Sequence, residues 1–421
     1  MATYFIKLYP LGRFFFGSEN TFGDNNEENY FVKSMYFPQQ TTLLGMIRHQ
    51  LLIQNDLLDK NGKIFDAKIG SALSLIGDKS FWGETNVEYG IIQKLSPVFI
   101  NGPDGDYFVQ AREYGFKTVE DEYTGEKFSK IVPLSLHHMP GSLHINNQKK
   151  DFPSPEDKIN HSTGFLQESN LTDINSYYMD HLNSKTVIPD LLVNACNGKM
   201  LFFEDNPQQR DDPMNGVFLP VEQVGIRKSE MLPINEKGYY KQVGYQMKDG
   251  YSFSFYLELD DKLSLNEIKT YVFNTGITKL QMGADQSWFR MEVNLEKGNI
   301  DTKLKEKTSK LFNVINTGYH KVVLLSDAMV DSTIYNLCSF ASTDTMSFQY
   351  FQTEIAVGRY IKFHKKIKSL QHQLLKKGSV FYCENSDKKE ELINNIFNEA
   401  DQHKAFRKIG YNFYKQTVKS I

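Results

Sequence analysis

Alternation with a period of two is the strongest local signal in this chain. Tyr4, Ile6 and Leu8 alternate with Phe5, Lys7 and Tyr9; Tyr251, Phe253, Phe255, Leu257 and Leu259 alternate with mostly polar residues; Phe289, Met291, Val293 and Leu295 alternate with Arg290, Glu292 and Asn294. Successive side chains of a strand point to opposite faces, so the pattern predicts half-buried strands in antiparallel sheets with one covered face. Shorter apolar runs predict strands over residues 91–100, 107–112, 321–326, 355–363 and 379–383, with Asn101-Gly102 as a hairpin turn.

The helical period is rarer. Over residues 41–55, Leu43, Leu44, Ile47 and Leu51 fall on one apolar arc, while Thr41, Gly45 and Arg48 share a second face. Residues 264–273 and 387–400 follow the same logic with weaker amphipathicity. Strands and helices alternate without regular βαβ spacing, which favours α+β sandwiches over a doubly wound sheet.

Residues 117–186 break the pattern. They are rich in Asn, Asp, Ser and His, contain Pro140, Pro153 and Pro155, and read as a long polar insertion. The stretch from Glu204 to Pro213 reads as an exposed connection. A boundary near it divides the chain into residues 1–205, which carry the insertion, and 206–421.

A length of 421 residues with 40% hydrophobic content is enough for two or three cores, and 56 aromatic residues exclude a disordered chain. No run of 18 apolar residues predicts a membrane-spanning helix. The first residues read as a strand without a secretory leader, so a cytoplasmic protein is expected. Cys196, Cys338 and Cys383 are odd in number and widely spaced, which fits a reducing compartment and argues against a disulfide frame or structural zinc. The formal charge of -3 hides an asymmetry. Residues 359–421 carry 14 Lys+Arg against 6 Asp+Glu, net +8, leaving 34 against 45, net -11, for the rest. Opposite signs at the two ends suit one face for a polyanion and another for something else.

Phosphate-loop, dinucleotide-binding, zinc-protease and phosphohydrolase motifs are absent, and no cofactor or metal is expected. One segment stands out, Tyr36-Phe37-Pro38-Gln39-Gln40-Thr41-Thr42-Leu43-Leu44-Gly45-Met46-Ile47-Arg48. Thr41 or Thr42 as a cap would leave first-turn N–H groups free for an anion, with Gly45 allowing close approach beside Arg48. An ordinary capped helix, with glycine for tight packing on a sheet, accounts for the same residues.

The strand over Tyr4 to Tyr9, the run Phe14-Phe15-Phe16-Gly17, and Phe37-Pro38 leading to Thr41 through Arg48 together resemble the N-terminal block of the RAMP superfamily, the repeat-associated RNA-binding proteins of CRISPR systems. Within it, the chain is similar to the family of Cmr complex subunit three. Val224-Gly225-Ile226-Arg227-Lys228 with Gly238-Tyr239-Tyr240, then Leu280 to Asp285 with the following strand, Lys321 to Asp327, and Gly378 to Tyr382 match in order. Two loops depart from the pattern: Phe406-Arg407-Lys408-Ile409-Gly410-Tyr411 keeps one glycine, and Leu280 to Asp285 has only Gly283.

The resemblance implies tandem ferredoxin-like domains in a subunit that does not cut RNA. Such a subunit grips the repeat-derived 5′ tag of the guide crRNA and joins the large polymerase/cyclase subunit to the backbone subunits of a type III-B complex. A hairpin within residues 117–186 or around Gly225 would wedge the guide. The expected RNA-binding residues are Thr41, Gly45, Arg48, Arg227, Lys228, Gly283, Arg290, Arg407, Lys408 and Tyr411. Cations interleaved with aromatics at 359–368 and 404–415 suit single-stranded RNA, although for any single residue an aromatic in the core or a lysine in solvent is the better reading.

An enzymatic alternative is a metal-independent endoribonuclease with His49, beside Arg48, as general acid or base. A protein-only scaffold is a third reading. His137, His138 and His144 have poor spacing for a metal site, and Asp24 in Gly23-Asp24-Asn25-Asn26 reads as a turn.

Overall fold

Where the sequence alternates most regularly, β1 (Ala2–Pro10) forms, and it lies inside a broad sheet rather than at its edge. The computed structural model describes residues 1–17, 31–120, 127–138, 142–145, 148–151, 164–168, 190–205, 216–226, 239–260, 273–283, 285–312, 319–355, 364–396 and 401–417. After β1 come helices α1 (Gln40–Gln54) and α2 (Ile69–Ile76), then β2 (Ile92–Leu95), β3 (Phe99–Gly102) and β4 (Gly105–Val109). The middle of the chain supplies β5 (Leu191–Asn194), β6 (Met200–Glu204), β7 (Gly216–Ile226) and β8 (Tyr239–Met247). Next are β9 (Ser252–Leu259), β10 (Gly276–Met282), β11 (Ser287–Glu296) and α3 (Ile300–Lys307). The last elements are β12 (His320–Leu324), β13 (Phe340–Ser342), β14 (Val380–Cys383), α4 (Ser386–Ile396), α5 (Asp401–Lys408) and β15 (Tyr414–Thr417). The fold is α+β and mostly strands.

β1 is antiparallel to a neighbour on each side: Ile6 pairs with Val293 of β11 and with Phe255 of β9. β9 in turn pairs with both β2 and β3. The sequence predicts one strand there, and the break falls at Ser96-Pro97, because Pro97 has no N–H to give to a ladder. The Ser96 hydroxyl accepts from the Tyr256 N–H at 2.8 Å. The resulting order is β11–β1–β9–β2/β3, with α1 and α2 between β1 and β2. Beyond β3 the sheet continues through β4, β5, β6, β7 and β8 to Phe31–Lys33. A separate four-stranded antiparallel sheet has the order β15–β12–β14–β13, with α4 and α5 between β14 and β15.

The large sheet crosses the position near residue 205 where the sequence places a boundary. β1 is flanked by β9 and β11, and Phe202 of β6 pairs with Gly216 of β7. One apolar cluster joins Ile6, Leu43, Phe253 and Phe289 to Phe406 and Tyr411.

Three expectations change. β9 is buried on both faces, not one, because Tyr256 joins Phe5 and Phe99 in a second apolar cluster with Val323, Val380 and Tyr382 of the small sheet. The hairpin turn falls at Pro103-Asp104, with Gly102 paired to Gly105, so Asn101-Gly102 belongs to the ladder. The polar insertion carries regular strands: Tyr114–Glu120 pairs with Lys127–His138, which also pairs with Gly164–Glu168, and Ser142–Ile145 pairs with Gln148–Asp151. Residues 264–272, 356–363 and 397–400 of the expected elements lie outside the described residues.

Candidate nucleic-acid interface

The first cluster of expected residues sits at the head of α1. Its N-cap is Gln39, in an extended conformation and without a side-chain cap, so neither Thr41 nor Thr42 caps the helix. The Tyr411 hydroxyl donates to Gln39 Oε1 at 2.7 Å and lies against the N–H groups of Gln40 and Thr41 and the Thr41 side chain. The chain's own phenol therefore occupies the place where a free helix terminus would bind an anion. Tyr411 is wholly buried among Phe348 and Phe406, and burial holds its hydroxyl well above the usual phenol range. The expectation that Tyr411 meets RNA is corrected here, because a buried ring offers no face to a base. Gln40 Nε2 donates to the carbonyls of Ser96 and Gly410, both at 3.2 Å. Gly410 has φ +101°, and a Cβ there would lie 2.6 Å from the Ser96 oxygen, so this glycine serves a packed joint.

One turn along α1, Gly45 faces open space, so it does not serve tight packing on a sheet. Arg48 folds inward beside Tyr89 and donates to the Gly77 carbonyl at 3.4 Å; burial pushes its guanidinium down to about 10. Lys408 approaches the same tyrosine from α5, 5.4 Å from the ring, and donates to the Val87 carbonyl at 3.1 Å and to Glu88 at 2.8 Å. Arg48 and Lys408, distant in sequence, thus flank one aromatic ring. Arg407 is half-buried on α5, near Tyr414. His49 is exposed on α1.

The third place is the β10–β11 hairpin. Gly283 turns it with φ +81°, receives the Gln286 N–H at 3.1 Å, and packs against Phe15 and Phe16. Arg13 fastens the turn to the neighbouring hairpin, donating to Gln223 and Gln242 at 2.6 Å each and lying 3.7 Å from Asp285. Arg290 stands on the outer face of β11, its guanidinium 4.4 Å from the centre of the Tyr9 ring and 3.4 Å from Glu292. Across the ladder from Arg290 is Lys279, and across from Glu292 is Lys7. Trp288, on the same outer face, is 53% exposed.

The family model described as CRISPR-associated protein (Cas_Cmr3) matches residues 6–414. The chain belongs to the Cas_Cmr3 family. None of the curated proteins matches it. Among solved structures, a chain of the type III-B Cmr-beta complex bound to cognate target RNA and AMPPnP is similar at 12% identity with a TM-score of 0.43, over 97% of this chain and 95% of that one. A chain of the complex bound to cognate target RNA gives the same identity and TM-score over 98% and 96%. Membership rests on the family model, and it upholds the RAMP-type, Cmr3-like reading of the ordered sequence blocks.

Within this Cas_Cmr3 chain the described expected residues fall at a joint made by half-buried Thr41 and buried Tyr411, at a half-buried pair beside Tyr89 (Arg48, Lys408), at half-buried Arg407 on α5, at exposed Gly45 on α1, and on the β10–β11 hairpin (Gly283, Arg290). Arg227 and Lys228 lie outside the described residues, as do Asp24, residues 359–363 and the side chains of His137, His138 and His144. Sequence reasoning missed Tyr9, Trp288 and Lys279. Their signal was the polar phase of the alternation, which needs the strand pairing before it becomes a surface. Among the described residues no three metal-ligating side chains cluster, and no helix is long and apolar enough to cross a membrane.

Proposed function

We propose that this chain is a non-catalytic subunit of a type III-B CRISPR ribonucleoprotein, binding the 5′ tag of the guide crRNA and linking the large polymerase/cyclase subunit to the backbone subunits in the cytoplasm. The observation that carries this reading is the Cas_Cmr3 match over residues 6–414. Two ferredoxin-like βαββαβ units fit the strand orders. The first unit takes β1, β2/β3, β9 and β11, with strands β4 to β8 inserted. The second takes β12, β13, β14 and β15. On this reading the units divide between residues 297 and 319 instead of near 205. The β7–β8 hairpin, exposed from Glu222 to Val224, suits a wedge against the guide, and the strands within 114–168 offer a second.

Nuclease protection of the guide tests the reading. In complexes assembled with and without this chain, the repeat-derived 5′ nucleotides are expected to resist nuclease only when it is present. Equal protection in both would overturn it.

A further inference from the structure

The outer face of the large sheet is covered along only part of its width. In the row containing Phe5 and Tyr256, α3 and the small sheet close over it. In the next three rows on the same face, β10, β11 and β1 present Ile277 beside Glu292 and Lys7, Lys279 beside Arg290 and Tyr9, and Gln281 beside Trp288. These side chains are exposed or half-exposed, and Trp288 and Ile277 reach 53% and 68%.

We infer that this face is a stacking platform for unpaired bases of a single-stranded RNA. The inference rests on the RNA-binding reading above and names the surface that performs it. Trp288 offers an open ring. Arg290 lies with one guanidinium face on Tyr9, and with its side chain 41% exposed the other face is available to a base. Aromatic rings and guanidinium planes are the two surfaces on which splayed RNA bases stack. Lys7, Lys279 and Arg290 supply three cations against the single carboxylate of Glu292, which complements a phosphate chain. A duplex has no free base faces to offer, so the platform selects single strands.

Trp288 is also the reporter. The chain has two tryptophans, so Trp82→Phe leaves Trp288 as the sole indole emitter in the full-length protein. Titration with a short mixed-sequence single-stranded RNA is expected to quench Trp288 to saturation, while the same sequence as a duplex does not. Adding Arg290→Ala is expected to weaken binding roughly 5- to 100-fold. RNA that binds by anisotropy with Trp288 emission unchanged overturns the platform and leaves the RNA-binding reading standing. No RNA bound, either by the chain alone or in the assembled complex, overturns both. Trp288 emission that shifts on adding partner subunits, and not RNA, assigns the face to a protein contact and overturns the platform.

Discussion

Tyr411, in the turn after α5, donates its hydroxyl proton to Gln39 Oε1 at the head of α1, 2.7 Å away and 372 residues distant in sequence. The bond ties a late segment of the chain to the first helix at a buried site. Removing the hydroxyl while keeping the ring leaves Gln39 Oε1 and the first N–H groups of α1 without that partner. Tyr411→Phe is expected to lower stability by about 1–3 kcal/mol, read by urea unfolding. An unchanged midpoint would mean that water replaces the phenol.

A second long-range tie is ionic. Lys321 Nζ lies 3.0 Å from Glu113, which also accepts from the Tyr382 hydroxyl at 2.9 Å, and both charged side chains are almost wholly buried. Losing one partner strands a charge in the interior. Lys321→Met alone is expected to cost about 3–5 kcal/mol, and adding Glu113→Leu to recover a large part of it. Additive losses in the double-mutant cycle would contradict this coupling.

Lys377 sets a pH dependence. Its Nζ lies 3.5 Å from the centre of the Phe37 ring, and burial pushes its ammonium down to about 8, against the attraction of Asp327. A lysine depressed in the folded state binds fewer protons there than in the unfolded chain between about pH 8 and 10.5, so its contribution to stability rises with pH across that window. Below about pH 8 the charged form is a destabilising burden. Lys377→Met is therefore expected to stabilise by roughly 1–3 kcal/mol at pH 7, with the advantage shrinking towards pH 10. A difference between variant and parent that stays flat with pH would refute the assignment.

Gly283 and Gly410 share a positive φ but differ in what surrounds them. A Cβ at Gly283 would lie 3.3 Å from the Phe15 oxygen, whereas at Gly410 it would lie 2.6 Å from the Ser96 oxygen and 2.7 Å from Gln40 Nε2. Gly283→Ala is expected to cost about 1–2 kcal/mol from the backbone alone. Gly410→Ala should exceed it, by thermal unfolding, because the α1 joint must also move. The reverse order would show that the joint is loose.

α1 and β11 were legible because each buries mainly one face, β1 because its alternation is nearly unbroken, and β14 because a short continuous apolar run marks a strand buried on both faces. β9 was harder, since its polar-phase residues Ser252, Ser254 and Tyr256 are all buried, Tyr256 against a sheet that comes from later in the chain. The strand over Lys127–His138 was hidden by Lys130 and Pro133 interrupting its alternation. In the candidate site, Arg290 was legible from the family's glycine turn. Its companions Tyr9 and Lys279 were not, because no local pattern states that β1 and β10 flank β11. Tyr411 misled for the opposite reason: an aromatic beside cations reads as a base platform until packing shows the ring inside.

The most direct test of the central claim is to isolate the tagged chain from its native host and sequence the 5′ ends of the RNA that copurifies. The account predicts guide RNAs beginning at one fixed nucleotide of a common repeat-derived tag, together with other type III-B subunits. A preparation without RNA, or RNA whose 5′ ends share no sequence, would contradict it.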